Sequence, residues 1–280
     1  MLKEEIRECD VIIVRSRTKV TRDLIERGRR LKLIARAGSG LDNIDLKAAE
    51  ERGIAVVNAP EAPADSVAEL TIGLMIALAR KITFADASMK RGEWLKKELK
   101  GFLLKGKKLG LIGLGNIGLR VARIAKAMGM KILVTKRSPP SPQLLEELGA
   151  DFLSLDELLR QSDIISIHVP LTEETKHMID VEEISKMKNG VFLINTARGE
   201  VINEEALLDA LKTGKIGGAA LDVYGTEPPK NLELIKHPNV ICTPHIGAQT
   251  VEAQKEASLI IADKIIRFFN SQARNSPKRC

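Results

Sequence analysis

Short, nearly continuous aliphatic runs alternate along this chain with stretches in which apolar residues return every three or four positions. Such alternation of buried strands with amphipathic helices is the signature of a parallel sheet built from strand–helix–strand units, so the expected class is α/β. In the first part, VIIVRS from Val11, LKLIARAG from Leu31 and IAVVNAP from Ile54 are expected strands. The segments TRDLIERG and LDNIDLKAAEERG between them are expected helices, each closed by a glycine that can cap its last carbonyls. A long helical stretch follows from about Asp65 to Trp94, with Asp65 or Ser66 as N-cap and an apolar face too wide for a helix solvated on one side. From Leu103 the rhythm restarts, with KKLGLIGLG, KILVTK, IISIHVP, VFLINTAR, GGAALDVY and NVICTPH as strands, enough for a full doubly wound sheet. The segment VEAQKEASLIIADKIIRFFN then reads as an amphipathic helix, and SQARNSPKRC as a frayed basic tail.

Composition narrows the class of protein. With 280 residues, 44% hydrophobic and 29% charged, the chain can bury two cores and is not intrinsically disordered. The longest apolar run, Leu70 to Ala79, falls well short of the roughly 20 residues that span a bilayer. The start, MLKEEIRECD, lacks the basic-then-apolar order of a secretory signal, so no membrane and a cytoplasmic location are expected. Cys9, Cys242 and Cys280 form no CxxC pair, which points to neither a disulfide framework nor a metal site. A net charge of +7 comes from 44 basic residues interleaved with 37 acidic ones. That pattern reads as a solvated mixed surface, with no nucleic acid as partner.

Gly113-Leu114-Gly115-Asn116-Ile117-Gly118 matches G-x-G-x-x-G between an apolar strand and a helical pattern. The first glycine allows the tight turn, the second the approach of a pyrophosphate, and the third close packing of helix on strand, while the helix N-terminus faces the phosphates. These features predict a Rossmann dinucleotide-binding fold. At the end of the next strand, where NAD-binding proteins carry an acidic residue for the ribose, this chain has Lys136 and Arg137. Two cations there suit a 2′-phosphate and so suggest NADP.

Three stretches downstream end buried strands with a charged residue in a rigid turn: Arg198 in NTARG, Glu227 in DVYGTEPP and His245 in TPHIG. The order GLGNIG, NTARG, DVYGTEPP and TPHIG resembles the NAD(P)-dependent D-2-hydroxyacid dehydrogenases over nearly the whole chain. RAGSGLDNID and IVRSRTKVT most resemble the branch that oxidises 3-phosphoglycerate to 3-phosphohydroxypyruvate in serine biosynthesis, whereas KRS after the second nucleotide-domain strand is more similar to the NADPH-dependent glyoxylate and hydroxypyruvate reductases.

The resemblance implies roles that suit the side chains. Arg198 would hold the substrate carboxylate and polarise its carbonyl through a planar fork. His245 would be the acid/base, and Glu227 would orient its ring and favour its charged form. It also implies NAD as the default cofactor, with Val169 and Pro170 beside the adenosine and Thr71, Thr196 and Asp222 as further cofactor neighbours. His168, His177 and His237 are expected to be non-catalytic.

For the substrate, a small 2-hydroxy or 2-oxo acid, the resemblance implies backbone donors at Ser39 and Gly40 and a pocket lined by Asn58 and Pro60, with Arg15, Lys19 and Arg36 as positive charge for a phosphate. EAPADS departs from the Gly-Asn pair that the family commonly has after this loop. Relatives usually carry a further strand-helix-strand before LKEEI, without which the edge of VIIVRS is expected to be uncovered.

The expected architecture is a Rossmann domain over residues 69–248, with a smaller flavodoxin-like substrate domain split between residues 1–68 and 249–280 and the active site in the cleft. A homodimer or a dimer of dimers, formed through the long crossing helix, is the expected assembly. The alternatives are the glyoxylate/hydroxypyruvate reductase activity and, in another class, a nucleotide-sensing co-repressor-like binding protein.

Overall fold

Ten strands occur among the described residues, and every pairing between them is parallel. The computed structural model describes residues 2–275. The chain divides into two compact units, one running to Ser66 and resuming at Ala248, the other Val67–Gly247.

In the first unit, β1 (Val11–Val14), β2 (Leu33–Arg36) and β3 (Ala55–Asn58) lie side by side in chain order. One face is covered by Ile6, Leu24, Ile25, Ala48 and Ala49. The other is covered by the C-terminal helix Val251–Asn275, where Ala257 and Ile261 meet Ala35, Ala59 and Ala62. Small residues on the sheet side let the helix lie close. β1 forms an edge of this sheet and Ile13 on it is 59% exposed. The C-terminal helix carries the segment SQARN, expected to fray, as part of its regular length. The rest of the basic tail, with Cys280, lies outside the described residues.

The second unit has seven strands: β4 (Lys108–Ile112), β5 (Lys131–Thr135), β6 (Ala150–Phe152), β7 (Ile164–Ile167), β8 (Val191–Asn195), β9 (Ile216–Leu221) and β10 (Val240–Cys242). Their order is β10-β9-β8-β7-β4-β5-β6, so chain direction across the sheet reverses between β4 and β7. This is the doubly wound α/β arrangement expected from the sequence, and ligands of such sheets bind at the reversal. Both faces are covered, which is why β7 is buried at every position and is apolar except for Ser166.

Two features differ from the expectation. β6 is an additional strand, too short and, with Asp151 and an exposed Phe152, too polar for the hydrophobic pattern to reveal. The expected helix from Asp65 to Trp94 is two helices, Ala64–Arg80 and Ile82–Lys90, broken at Lys81 with φ +52°. The break is matched by a contact from elsewhere in the chain: Gly101 packs on the Ala79 carbonyl, and that carbonyl accepts the Phe102 N–H at 3.0 Å in place of a helical donor. No described helix is long and apolar enough to cross a membrane.

Candidate active site

β4 ends at the turn that the glycines predicted. Gly113 has φ +98°, and a Cβ there would lie 2.5 Å from the His168 carbonyl oxygen at the end of β7. Only glycine fits both constraints. A Cβ on Gly115 would meet no atom within 4 Å, so this side of the turn is open. Helix Asn116–Ala127 starts there with no side-chain cap, leaving its first N–H groups directed at that space. The cradle fits the pyrophosphate of a dinucleotide. Lys136 and Arg137 stand exposed after β5, and Val169 and Pro170 follow β7 across the reversal. His168 has its Nε2 2.9 Å from the Ser166 hydroxyl, and burial pushes its pKa down to about 4, so its ring is neutral.

Thr71 and Thr196 are neighbours, with hydroxyls 2.9 Å apart. Thr71 is fully buried and donates to the Val67 carbonyl at 2.8 Å.

The three charged residues after β8, β9 and β10 gather in this same unit. Asn195, at the end of β8, accepts the Ala197 N–H at 3.0 Å and donates to the Arg198 carbonyl at 2.9 Å, tying the NTARG turn. Arg198 Nη1 donates to the Ala197 carbonyl at 2.7 Å. Gly199 sits so close to Tyr224 and Gly225 that a Cβ would overlap their backbone.

His245 Nδ1 lies 2.8 and 3.0 Å from the two carboxylate oxygens of Glu227. Its backbone has φ +53°, an unusual conformation for a residue with a side chain. Asp222 holds that turn: its buried carboxylate accepts the Thr243 hydroxyl at 2.6 Å and the Ile246 and Gly247 N–H groups at 2.8 Å each. The role implied for Asp222 at the cofactor is thus joined by a task in shaping the turn that carries His245.

The hydrogen bond to Glu227 raises the His245 pKa above the imidazole range; burial opposes it, the charges of Glu227 and Asp222 add to it, and Arg198 opposes it. For Glu227 burial pushes the pKa up, but the hydrogen bond and charge of His245, the Tyr224 N–H and the Arg198 charge outweigh it, so the carboxyl titrates below its usual range. Both directions describe an imidazolium–carboxylate pair. With Nδ1 taken by Glu227, Nε2 is the ring nitrogen left for proton exchange.

In the first unit the expected substrate residues collect at the C-terminal ends of the strands, where Val14, Arg36 and Asn58 stand level across β1, β2 and β3. Asn58 donates to the Ser39 carbonyl at 2.6 Å, fixing the loop that carries Ser39 and Gly40. Arg36 donates to the Ala37 carbonyl at 2.6 Å, and Arg15 and Lys19 are exposed. Two residues not singled out in the sequence complete this group. Asn43 donates to the carbonyls of Arg15 and Thr18, and Lys264 on the C-terminal helix donates to the Asn58 carbonyl at 2.7 Å. The "RAGSGLDNID" motif holds Asn43; Lys264 has no local signal, because its contact is 206 residues away.

The NAD-binding domain profile of the D-isomer specific 2-hydroxyacid dehydrogenases matches residues 72–247. The chain is 53% identical over 272 residues to the D-3-phosphoglycerate dehydrogenase of Methanocaldococcus jannaschii, covering 97% of this chain and 52% of that protein. It is 52% identical over 269 residues to the hydroxypyruvate reductase of Thermotoga maritima, covering 95% and 87%. It thus spans about half the length of the first relative and most of the second. Among solved structures, D-lactate dehydrogenase from Aquifex aeolicus, in complex with NAD and lactic acid, superposes with a TM-score of 0.89 at 36% identity, over 97% of this chain and 86% of that one. The profile match and these identities, together with the open glycine turn and the Arg198, Glu227 and His245 cluster, show that the chain belongs to the D-2-hydroxyacid dehydrogenases.

Proposed function

We propose that this chain interconverts a D-2-hydroxy acid and its 2-oxo acid with a nicotinamide cofactor, and that the acid is 3-phosphoglycerate. The observation that carries the reaction class is the His245–Glu227 pair at 2.8 Å with Arg198 in its electrostatic reach. The glycine turn, Lys136, Arg137, Val169 and Pro170 would hold the cofactor. The chemistry such a cofactor supplies when bound is hydride transfer to or from the substrate carbon.

In reduction, protonated His245 gives its Nε2 proton to the developing alkoxide oxygen while Arg198 neutralises the carboxylate and polarises the carbonyl. Glu227 stabilises the imidazolium before transfer and keeps the ring in place after it. In oxidation neutral His245 takes the hydroxyl proton. Ser39 and Gly40 supply backbone donors for the carboxylate, and Arg15, Lys19 and Arg36 favour an acid that also carries a phosphate.

A second reading, reduction of hydroxypyruvate or glyoxylate with NADPH, is favoured by Lys136 and Arg137 and by the likeness to the hydroxypyruvate reductase. Steady-state oxidation of NADH and of NADPH with 3-phosphohydroxypyruvate, hydroxypyruvate and glyoxylate separates the two. Preference for the phosphorylated acid supports the first; preference for the small acids with NADPH replaces it with the second. Tight cofactor binding with turnover of none would leave a binding protein. We further propose a cytoplasmic homodimer that uses the exposed apolar residues Ile82, Phe84, Met89 and Trp94 of the second unit. Sedimentation of the wild type and of Phe84→Glu with Met89→Glu tests it.

A further inference from the structure

All three catalytic segments meet at one residue that the reaction itself does not use. Tyr224 is 7% exposed and lies two residues beyond Asp222. Its hydroxyl is within reach of two carbonyls at once, Leu221 at 3.0 Å, the last residue of β9, and Thr243 at 2.9 Å, two residues before His245. Its N–H donates to Glu227 Oε1 at 3.3 Å. Its backbone is the surface on which Gly199, next to Arg198, is packed too tightly for any side chain.

Resting on the assignment of His245 and Glu227 as the acid/base pair, we infer that Tyr224 is a positioning residue for that pair: its hydroxyl fastens the strand end leading to His245, its amide fastens Glu227, and together they hold Nδ1 and the carboxylate at hydrogen-bonding distance. The phenol is suited to this task because it stays a donor. Burial, then the neighbouring Cys242 and Asp222, hold its pKa well above the usual phenol range. A phenylalanine would fill the same volume and keep the amide contact, so what the hydroxyl adds is the link between the Leu221 and Thr243 carbonyls.

The groups facing His245 are Glu227, Asp222 and Arg198. Asp222 holds both sides of the turn through Thr243, Ile246 and Gly247, so loss of the phenol hydroxyl leaves the turn in place but less firmly set, and the Glu227 contact is the one expected to lengthen. Tyr224→Phe is therefore expected to lower kcat/KM for reduction roughly fivefold, the worth of one hydrogen bond. It is also expected to move the high-pH limb of the rate profile, and the His245 titration seen by NMR, to lower pH together. With four histidines in the chain, His245→Asn assigns that resonance.

A loss of thermal stability with an unmoved pH profile and an unmoved His245 titration would overturn the proposal. Because Tyr224 is the single tyrosine, biosynthetic 3-fluorotyrosine labels it alone and provides a readout if the Phe variant fails to fold. The fluorine resonance of the wild-type protein should titrate with His245 and stop doing so in His245→Asn; a resonance insensitive to His245 counts against the inference. Full activity in His245→Asn would instead remove the acid/base reading on which the inference rests.

Discussion

Two turns of the second unit do comparable work by opposite means. The Gly113–Gly118 turn is made by leaving side chains out: φ +98° at Gly113 and its closeness to the His168 carbonyl demand that nothing be there. The turn from Pro244 to Gly247 is made by putting side chains in. His245, a bulky residue at φ +53°, is held by three hydrogen bonds to a carboxylate more than twenty residues earlier in the chain. A left-handed non-glycine residue costs on the order of 1 kcal/mol or more, and three bonds to a buried charge offset that. A site that receives a ligand's phosphates needs open backbone, whereas one that moves a proton needs a ring fixed in direction.

The contrast can be broken most severely at the imidazole. His245→Asn should lower kcat by about 10²- to 10⁴-fold, the usual worth of a general acid, while the cofactor Kd measured by fluorescence titration stays near wild type. At the other turn, Gly113→Ala should do the reverse, costing about 2 kcal/mol in strain and overlap and weakening cofactor binding some thirtyfold; wild-type affinity would show the turn to be more yielding than its geometry implies. Asp222→Asn leaves one of the donors facing an amide, at about 1–2 kcal/mol. Hydrogen exchange at Ile246 and Gly247 should quicken, with slower turnover.

Acidity offers a subtler probe. Since Glu227 raises the His245 pKa, reduction should hold its rate to a pH above the ordinary imidazole value of 6.5 before falling, and Glu227→Gln should bring that fall to lower pH. The same coupling bears on stability. The contribution of His245 is complete below 6.5 and is lost as pH rises through its raised folded value, while that of Glu227 is present above 4.5 and is lost as pH falls through its lowered one. Thermal melts of Glu227→Gln should therefore differ most from wild type between those values. A modest effect is expected at Arg137→Ala, about tenfold in the NADPH-to-NADH preference if its charge meets a 2′-phosphate; an unchanged ratio would place cofactor choice elsewhere.

Legibility in the sequence followed the same division. Gly113, Gly115 and Gly118 lie within one hexapeptide between a strand and a helix, so spacing alone exposes them. Arg198, Glu227 and His245 were visible as charged residues in rigid turns after apolar strands, and the resemblance to a family gave them their order. What positions them was not visible. The grip of Asp222 on Ile246 and Gly247, the bond of Lys264 to Asn58 and the contact of Gly101 and Phe102 with the Ala79 carbonyl beside the break at Lys81 all join residues far apart in the chain, and no periodicity records such pairs. β6 escaped for a different reason, since three residues do not complete a pattern.

The covering of β2 and β3 by Ala257 and Ile261 also fixes an order of events during synthesis. Val67–Gly247 is one uninterrupted stretch and can close on itself as soon as it has left the ribosome. The three-stranded sheet, although translated before that stretch, waits with one apolar face bare until helix Val251–Asn275 arrives after it. At typical translation speeds that interval is on the order of ten to forty seconds, long enough for chaperones to bind the nascent chain. Moving that helix, by a linker, ahead of β1 would remove the wait.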